Sequence, residues 1–143
     1  MFRNRLVNIM LIILIVLTLV GVAVLIFVNY FNNEDEQDRE PTIDEIIAQS
    51  YETEEITTNL LSNDFVRARF LIHVDNRNAL QEVQKRDFQV NNIIIRSLAG
   101  MDASQLSGAD GIEKLEAQLQ DDINALMQEG SVVKIYTTEW VIQ

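Results

Sequence analysis

The chain's one histidine, His73, falls on the same alternating positions as Arg67 and Arg69. A catalytic or metal-bound imidazole needs carboxylates held beside it, and cationic neighbours oppose a bound cation. His73 therefore reads as a solvated surface group. The run Glu34, Asp35, Glu36 and Asp38 has the charge to hold Ca²⁺ loosely, but it lacks the glycine turn and spaced ligands of a dedicated loop. It reads as solvated charge. Asp121-Asp122 belongs to the wet side of an amphipathic stretch. Gly108-Ala109-Asp110-Gly111 puts an acid where a phosphate would sit, so it is a helix start rather than a nucleotide cradle. With no cysteine in the chain, thiolate nucleophiles, disulfides and Cys-based zinc sites are all absent. No serine has the elbow context of an acyl-transfer nucleophile, and a single histidine leaves little choice of base. The sequence thus assigns no catalytic residue, metal ligand or cofactor.

The elements that would carry such groups are legible from periodicity. Glu55–Leu61 reads as a strand closed by a turn at Ser62-Asn63-Asp64. Val66, Ala68, Phe70, Ile72 and Val74 then alternate with Arg67, Arg69, His73 and Asp75, which predicts a strand with one buried face and one wet face. Asn76 and Asn78 are caps for a helix to about Leu98, with Leu80, Val83, Val90, Ile94 and Leu98 inward and Gly100 at its end. A second helix starts with Asp110 as N-cap, carries Ile112, Leu115, Leu119, Ile123 and Leu126 on one stripe, and ends at Gly130. Val132–Ile142 is the last strand, with Tyr136, Thr138, Trp140 and Ile142 on one face. That face reads as core packing, with a sheet-face contact as the other option. The order β-β-α-α-β over residues 55–143 predicts an α+β domain with helices on one face of the sheet. Ile93-Ile94-Ile95 cannot all face that sheet. Either one isoleucine is simply tolerated at the surface, or Ile93 or Ile95 meets a neighbouring copy.

Ahead of this domain, residues 6–31 contain no charge, and 18 of the 23 positions from Leu6 to Val28 are Leu, Ile, Val or Phe. Crossing about 30 Å of hydrocarbon takes roughly 20 such residues. Insertion of side chains such as Leu6, Ile9, Leu14, Leu17, Val20, Leu25 and Phe27 adds up to about 5–10 kcal/mol over the whole segment. A cleaved leader would have a shorter apolar run and a small-residue site, whereas this one ends Phe27-Val28-Asn29-Tyr30-Phe31. The segment predicts a single permanent anchor. Arg3 and Arg5 precede it in a tail of residues 1–5, and the acidic run lies beyond it. The positive-inside rule puts the N-terminus in the cytoplasm and the domain outside, with Tyr30 and Phe31 at the headgroup level. The helix has no ionisable group with which to conduct protons or ions.

All 22 acidic residues and nine of the 11 basic ones lie beyond the apolar run, within a formal net charge of −11 for the chain. Phosphate contacts need clustered Lys and Arg, so a nucleic-acid partner is excluded. Residues 32–54 read as an acidic linker, a self-repelling tether. Within it, Thr42-Ile43-Asp44-Glu45 matches a capping box, and Ile43, Ile46 and Ile47 lie at helical spacing. A short helix over 42–49 has no core of its own, so it needs a partner surface or it frays.

Glu55-Ile56-Thr57-Thr58-Asn59-Leu60, Glu82-Val83-Gln84-Lys85-Arg86-Asp87-Phe88-Gln89-Val90, Gln128-Glu129-Gly130-Ser131-Val132 and the terminal Val133–Gln143 together resemble the FliL family, bacterial proteins associated with the flagellar basal body. The resemblance implies a single-pass protein of the cytoplasmic (inner) membrane whose outer domain is similar to stomatin-type scaffolds. It further implies a homo-oligomeric ring around ion-conducting stator units of the MotA/MotB type, supporting torque, motility and swarming without catalytic residues. The stator-proximal stretch corresponds to about Asn32–Gln49, which makes Ile43, Ile46 and Ile47 the candidate stator contacts and Ile93 and Ile95 those for self-association. The residues also admit the outer part of an anchored sensing or envelope-stress protein, which needs a pocket with convergent polar groups. An envelope-remodelling enzyme would need a carboxylate pair or metal triad.

Overall fold

The computed structural model describes residues 4–34 and 40–143, with side chains in the first stretch described as far as Asn29. Arg3, Asp35, Glu36 and Asp38, together with the side chains of Tyr30, Phe31 and Glu34, lie outside the described residues. The chain divides into two compact units, Met1–Pro41 and Thr42–Gln143.

The first unit contains α1, Arg5–Glu34, of which Arg5–Asn29 is long and apolar enough to cross a membrane. Its anchor residues are exposed along the helix, from 54% at Ile9 and Val20 to 81% at Leu6. A helix that is apolar on every side has no core to pack in water, whereas hydrocarbon solvates all of it. Thr18, polar in its middle, donates its Oγ1 proton back to the carbonyls of Leu14 (2.5 Å) and Ile15 (3.2 Å). That leaves little exposed polarity at mid-helix.

The second unit runs α2 (Ile43–Ala48), β1 (Ser50–Glu52), β2 (Ile56–Asn59), β3 (Phe65–Val74), α3 (Arg77–Lys85), α4 (Asp87–Ala99), α5 (Gly108–Asn124) and β4 (Val132–Ile142). The α+β class stands, but the domain order is richer than β-β-α-α-β, with one more strand and one more helix. β3 is the central strand of an antiparallel sheet. β4 pairs with it from Val66 to Val74, so β1 (against Leu71–His73) and β2 (against Phe65–Ala68) lie end to end along the other edge. Thr53 bridges the two short strands. Its N–H donates to the Phe70 carbonyl at 2.9 Å, and its hydroxyl accepts the Phe70 N–H at 3.1 Å. The expected single helix from Asn76 is broken at Arg86, where φ −93° and ψ 14° depart from helical values. Asp87 there starts a new helix with its charge in the first turn, where the helix dipole favours it.

The core is the face that alternation predicts. Val66, Ala68, Phe70, Ile72 and Val74 are fully buried, against Ala79 and Val83 of α3, Val90, Ile94 and Leu98 of α4, and Leu115, Leu119 and Ile123 of α5. Leu80 is only partly buried at the rim. α5 begins one turn earlier than expected, with Ser107 at the N-cap position and Asp110 in the first turn rather than capping it. Gly111 takes the core position in place of Ile112. A Cβ on Gly111 would meet the Gln105 carbonyl oxygen at 2.6 Å, so the helix seats directly on the preceding loop.

β4 carries two extra residues relative to β3, Thr138 and Val133, at the register shifts opposite Arg69/Phe70 and His73/Val74. Each bulge reverses the facing of the residues beyond it. Trp140 and Ile142, opposite Ala68 and Val66, therefore pack against the core, but Tyr136 lies opposite Leu71 on the other face and is 40% exposed. The expectation that Tyr136 and Trp140 share a face is corrected by the bulge between them.

Three polar side chains of α5 reach the edge of β4 turned away from β3. Asn124 accepts the Val132 N–H (2.7 Å), Gln120 donates to the Val132 and Val133 carbonyls (3.2 and 3.0 Å), and Glu116 accepts the Thr137 N–H (2.8 Å).

Candidate functional site

Of the residues whose chemistry the sequence singles out, His73 is placed differently from the expectation. It is 5% exposed, not solvated, and its Nδ1 has no hydrogen-bond partner. Its cross-strand neighbours are Ser50 and Lys134. Strand parity gives the correct face, but β1, which the sequence does not reveal, sits beside it. Among the described residues, no group of three His, Asp or Glu side chains is arranged to hold a metal ion. Asp121 and Asp122 are exposed on α5.

Further along β3, charged side chains form a small surface network. Arg67 Nε lies 3.3 Å from Glu139 and 3.9 Å from Glu55, and Arg69 Nε lies 3.9 Å from Glu139. Such exposed pairs add little stability, about 0–1 kcal/mol each. They do tie Glu55, ahead of β2, to Glu139 on β4 across the central strand.

A second pair of segments meets at the other end of the sheet. Glu82 of α3 accepts the N–H groups of Gln128 (2.9 Å) and Glu129 (2.7 Å), and its Oε1 receives Arg86 Nε at 2.8 Å. These donors hold its carboxyl below the usual carboxylate range, the Gln128 N–H contributing most and Arg86 next. Asp75 grips the same loop further on, accepting the Ser131 N–H and hydroxyl at 3.1 Å each. Gly130 lies between them at φ +112°, a conformation reserved for glycine. The segments that resemble the family are therefore largely fold-forming: Glu55 pairs toward the terminal strand, and Glu82 clasps Gln128–Ser131.

Two apolar features stand at the surface of the domain. α2 is capped as the sequence predicts, with Thr42 N–H on Glu45 Oε2 (2.8 Å) and Glu45 N–H on Thr42 Oγ1 (3.4 Å). No residue of α2 is buried. Ile43 and Ile47 stand 67% and 62% exposed, while Ile46 is half-buried. Two large apolar side chains one turn apart on a six-residue helix form a ready contact stripe.

Of the isoleucine triplet, Ile94 is in the core. Ile93 packs partly against it and lines a shallow groove of about 400 Å³ with Asn92, Arg96, Ser97, Gln118 and Asp122. Ile95 is 41% exposed. Ile93 and Ile95 lie about 200° apart around α4, so one flat contact cannot use both. The sequence reading missed Phe88, which is 71% exposed. The signal was present: Phe88 falls off the stripe formed by Val83, Val90, Ile94 and Leu98.

Residues 50–143 match the protein family described as flagellar basal body-associated protein FliL. The chain is 39% identical over 109 residues to the flagellar protein FliL of Bacillus subtilis (strain 168), covering 76% of this chain and 78% of that protein. It is 32% identical over 79 residues to the flagellar protein FliL of Aquifex aeolicus (strain VF5), covering 55% of this chain and 49% of that protein.

Proposed function

The chain belongs to the FliL family of flagellar basal body-associated proteins, and on that premise we propose that it is a non-enzymatic scaffold of the flagellar motor that associates with the ion-conducting stator units. It is held in the cytoplasmic membrane by α1, with residues 1–5 inside and the domain outside. Its outer domains assemble into a ring, and the ring steadies the stator, aiding torque, motility and swarming. The observation that carries this reading is the family match over the whole of β1 to β4, joined in one chain to a helix able to cross a membrane.

Two surface features support the finer assignments. The Ile43 and Ile47 stripe on α2 supplies the stator contact, with the half-buried Ile46 beside it. Ring closure uses a head-to-tail contact, in which one face of a domain meets a different face of its neighbour. Ile93 and Ile95, on different sides of α4, suit the two halves of such a contact. A domain lying in the cytoplasm would end the topology part of this reading, and reporter fusions after Gln143 test it directly.

The functional test is deletion and then complementation. Cells lacking the protein lose swarming, the native chain restores it, and Ile43→Ser/Ile47→Ser restores normal protein levels but not swarming. Full swarming by the deletion strain would overturn the stator role. Full rescue by the double variant would remove α2 as the contact.

A further inference from the structure

The chain enters its folded domain through a segment with little holding it. From Thr42 to Glu52 no residue is buried, and Thr53, 3% exposed, is the first that is. A six-residue helix is far too short to persist by itself, and β1 adds only three residue pairs. Ser50 Oγ donates to the Ile46 carbonyl at 2.5 Å, which ties β1 to α2.

Beyond the β1 pairing, polar contacts around Gln49 and Tyr51 tie this piece to the domain. The Val74 N–H donates to the Gln49 carbonyl at 3.0 Å. One side-chain bond reaches the helical layer: the Tyr51 hydroxyl donates to Asp87 in the first turn of α4, and Asn91 Nδ2 holds the same oxygen of Asp87 at 3.2 Å. Burial and the Asp87 carboxylate push the phenol's pKa up, so Tyr51 remains a donor across the ordinary pH range.

Past Tyr51 the attachment changes character. Thr53 makes two hydrogen bonds to Phe70, one of the largest fully buried side chains. β3 keeps β2 and β4 whether or not β1 is present, and of the apolar side chains in residues 42–52 only Tyr51 packs against the core cluster, where it is partly buried.

We propose that residues 42–52 form a detachable strap, closed by the Tyr51–Asp87 hydrogen bond and stopped at Thr53, which opens without unfolding the core and lengthens the path between α1 and the domain. Opened, the strap spans up to about 35 Å of extended chain. Its departure also bares the backbone edge of Leu71–His73 for another strand and lets water reach the unpartnered Nδ1 of His73.

Residue-resolved hydrogen exchange on the full chain in lipid nanodiscs tests this, because different amides report on each side of the stop. Gln49 and Val74 donate within or to the strap, whereas Thr53 and Leu60 donate to the body of the domain. Gln49 and Val74 are expected to exchange through a shared opening well over tenfold faster than Thr53 and Leu60, as separate cooperative units do. Tyr51→Phe, which keeps the ring and removes the donor, is expected to speed Gln49 and Val74 a further tenfold or so and to leave Thr53 and the melting temperature unchanged. Exchange of Val74 in step with Thr53, no acceleration by Tyr51→Phe, or a parallel fall in melting temperature would each overturn the strap.

Discussion

Replacing Gly108, Gly111 and Gly130 singly by alanine separates two costs that usually arrive together. At Gly108, φ is +73° and nothing lies within 4 Å of the new Cβ. Only the left-handed backbone is penalised there, by about 1–2 kcal/mol. At Gly111 the backbone is ordinary helix, but the Cβ falls 2.6 Å from the Gln105 carbonyl oxygen and 2.7 Å from the Leu106 carbonyl carbon. Backbone cannot rotate aside, so overpacking costs about 1–3 kcal/mol. Gly130 carries both: φ is +112°, and the Cβ falls 2.3 Å from Asn76 Nδ2 and 2.4 Å from Asp75 Oδ1. Those side chains are committed, Asn76 capping α3 through the Ala79 N–H at 2.8 Å and Asp75 holding Ser131. Backbone strain of about 1–3 kcal/mol and a displaced cap of about 1 kcal/mol sum to about 3 kcal/mol. For a domain of this size that lowers the melting temperature by roughly 12–24 °C. Urea and thermal unfolding of the full chain in nanodiscs, monitored by the half-buried Trp140, reads the effect. Asn76→Ser, which keeps a capping oxygen and removes the nearest clashing atom, is expected to recover part of the Gly130→Ala loss. The reasoning fails if Gly130→Ala is no more destabilising than Gly108→Ala, or if Asn76→Ser makes the two losses simply add.

Two further outcomes rest on single hydrogen-bonded groups. Thr42→Ala removes the capping box of α2 and is expected to cost about 1 kcal/mol locally, seen as faster exchange of the Ile46 and Gln49 amides with β3 and β4 unaffected. Glu82 has a depressed carboxyl pKa, so its contribution to stability is present above the unfolded value of 4.5 and is lost as pH falls through the lower folded value. Melting temperature should therefore drop from about pH 4.5 downward, and Glu82→Gln should start lower at neutral pH with a shallower acid limb. An unchanged acid limb in Glu82→Gln would move that dependence to another carboxylate.

Much of the domain was legible because its strongest elements have clean periods. β3 alternates from Val66 to Val74 with Leu71 the one apolar residue among its outward positions, and β4 occupies Val132–Ile142 as its pattern predicts. The failures are local and physical. β1 is Ser50-Tyr51-Glu52, one aromatic among polar neighbours in an acidic stretch, so its pairing is supplied by β3 and not advertised by its own residues. The break at Arg86 is hidden because Lys85-Arg86-Asp87 looks like the wet side of a continuous helix. Tyr136 changes face because a bulge adds a residue without marking the sequence. His73 is buried by a neighbour that the sequence did not reveal. As for the site, the sequence assigns no catalytic or metal-binding residue, and Ile43, Ile47 and Ile95 are exposed while Ile93 packs partly against the core. A contact is a property of two molecules, and one sequence carries half of it.

The reach of α5 over β4 has a consequence for crowding. A ring, or any dense array on a membrane, brings many identical sheets within touching distance, and a bare strand rim invites them to zip together without limit. At Val132, Val133 and Thr137 backbone groups of that rim are already engaged from within the same molecule, by Asn124, Gln120 and Glu116. Copies packed against that part of the rim therefore meet side chains, whose shapes can be told apart, before backbone, which every protein shares.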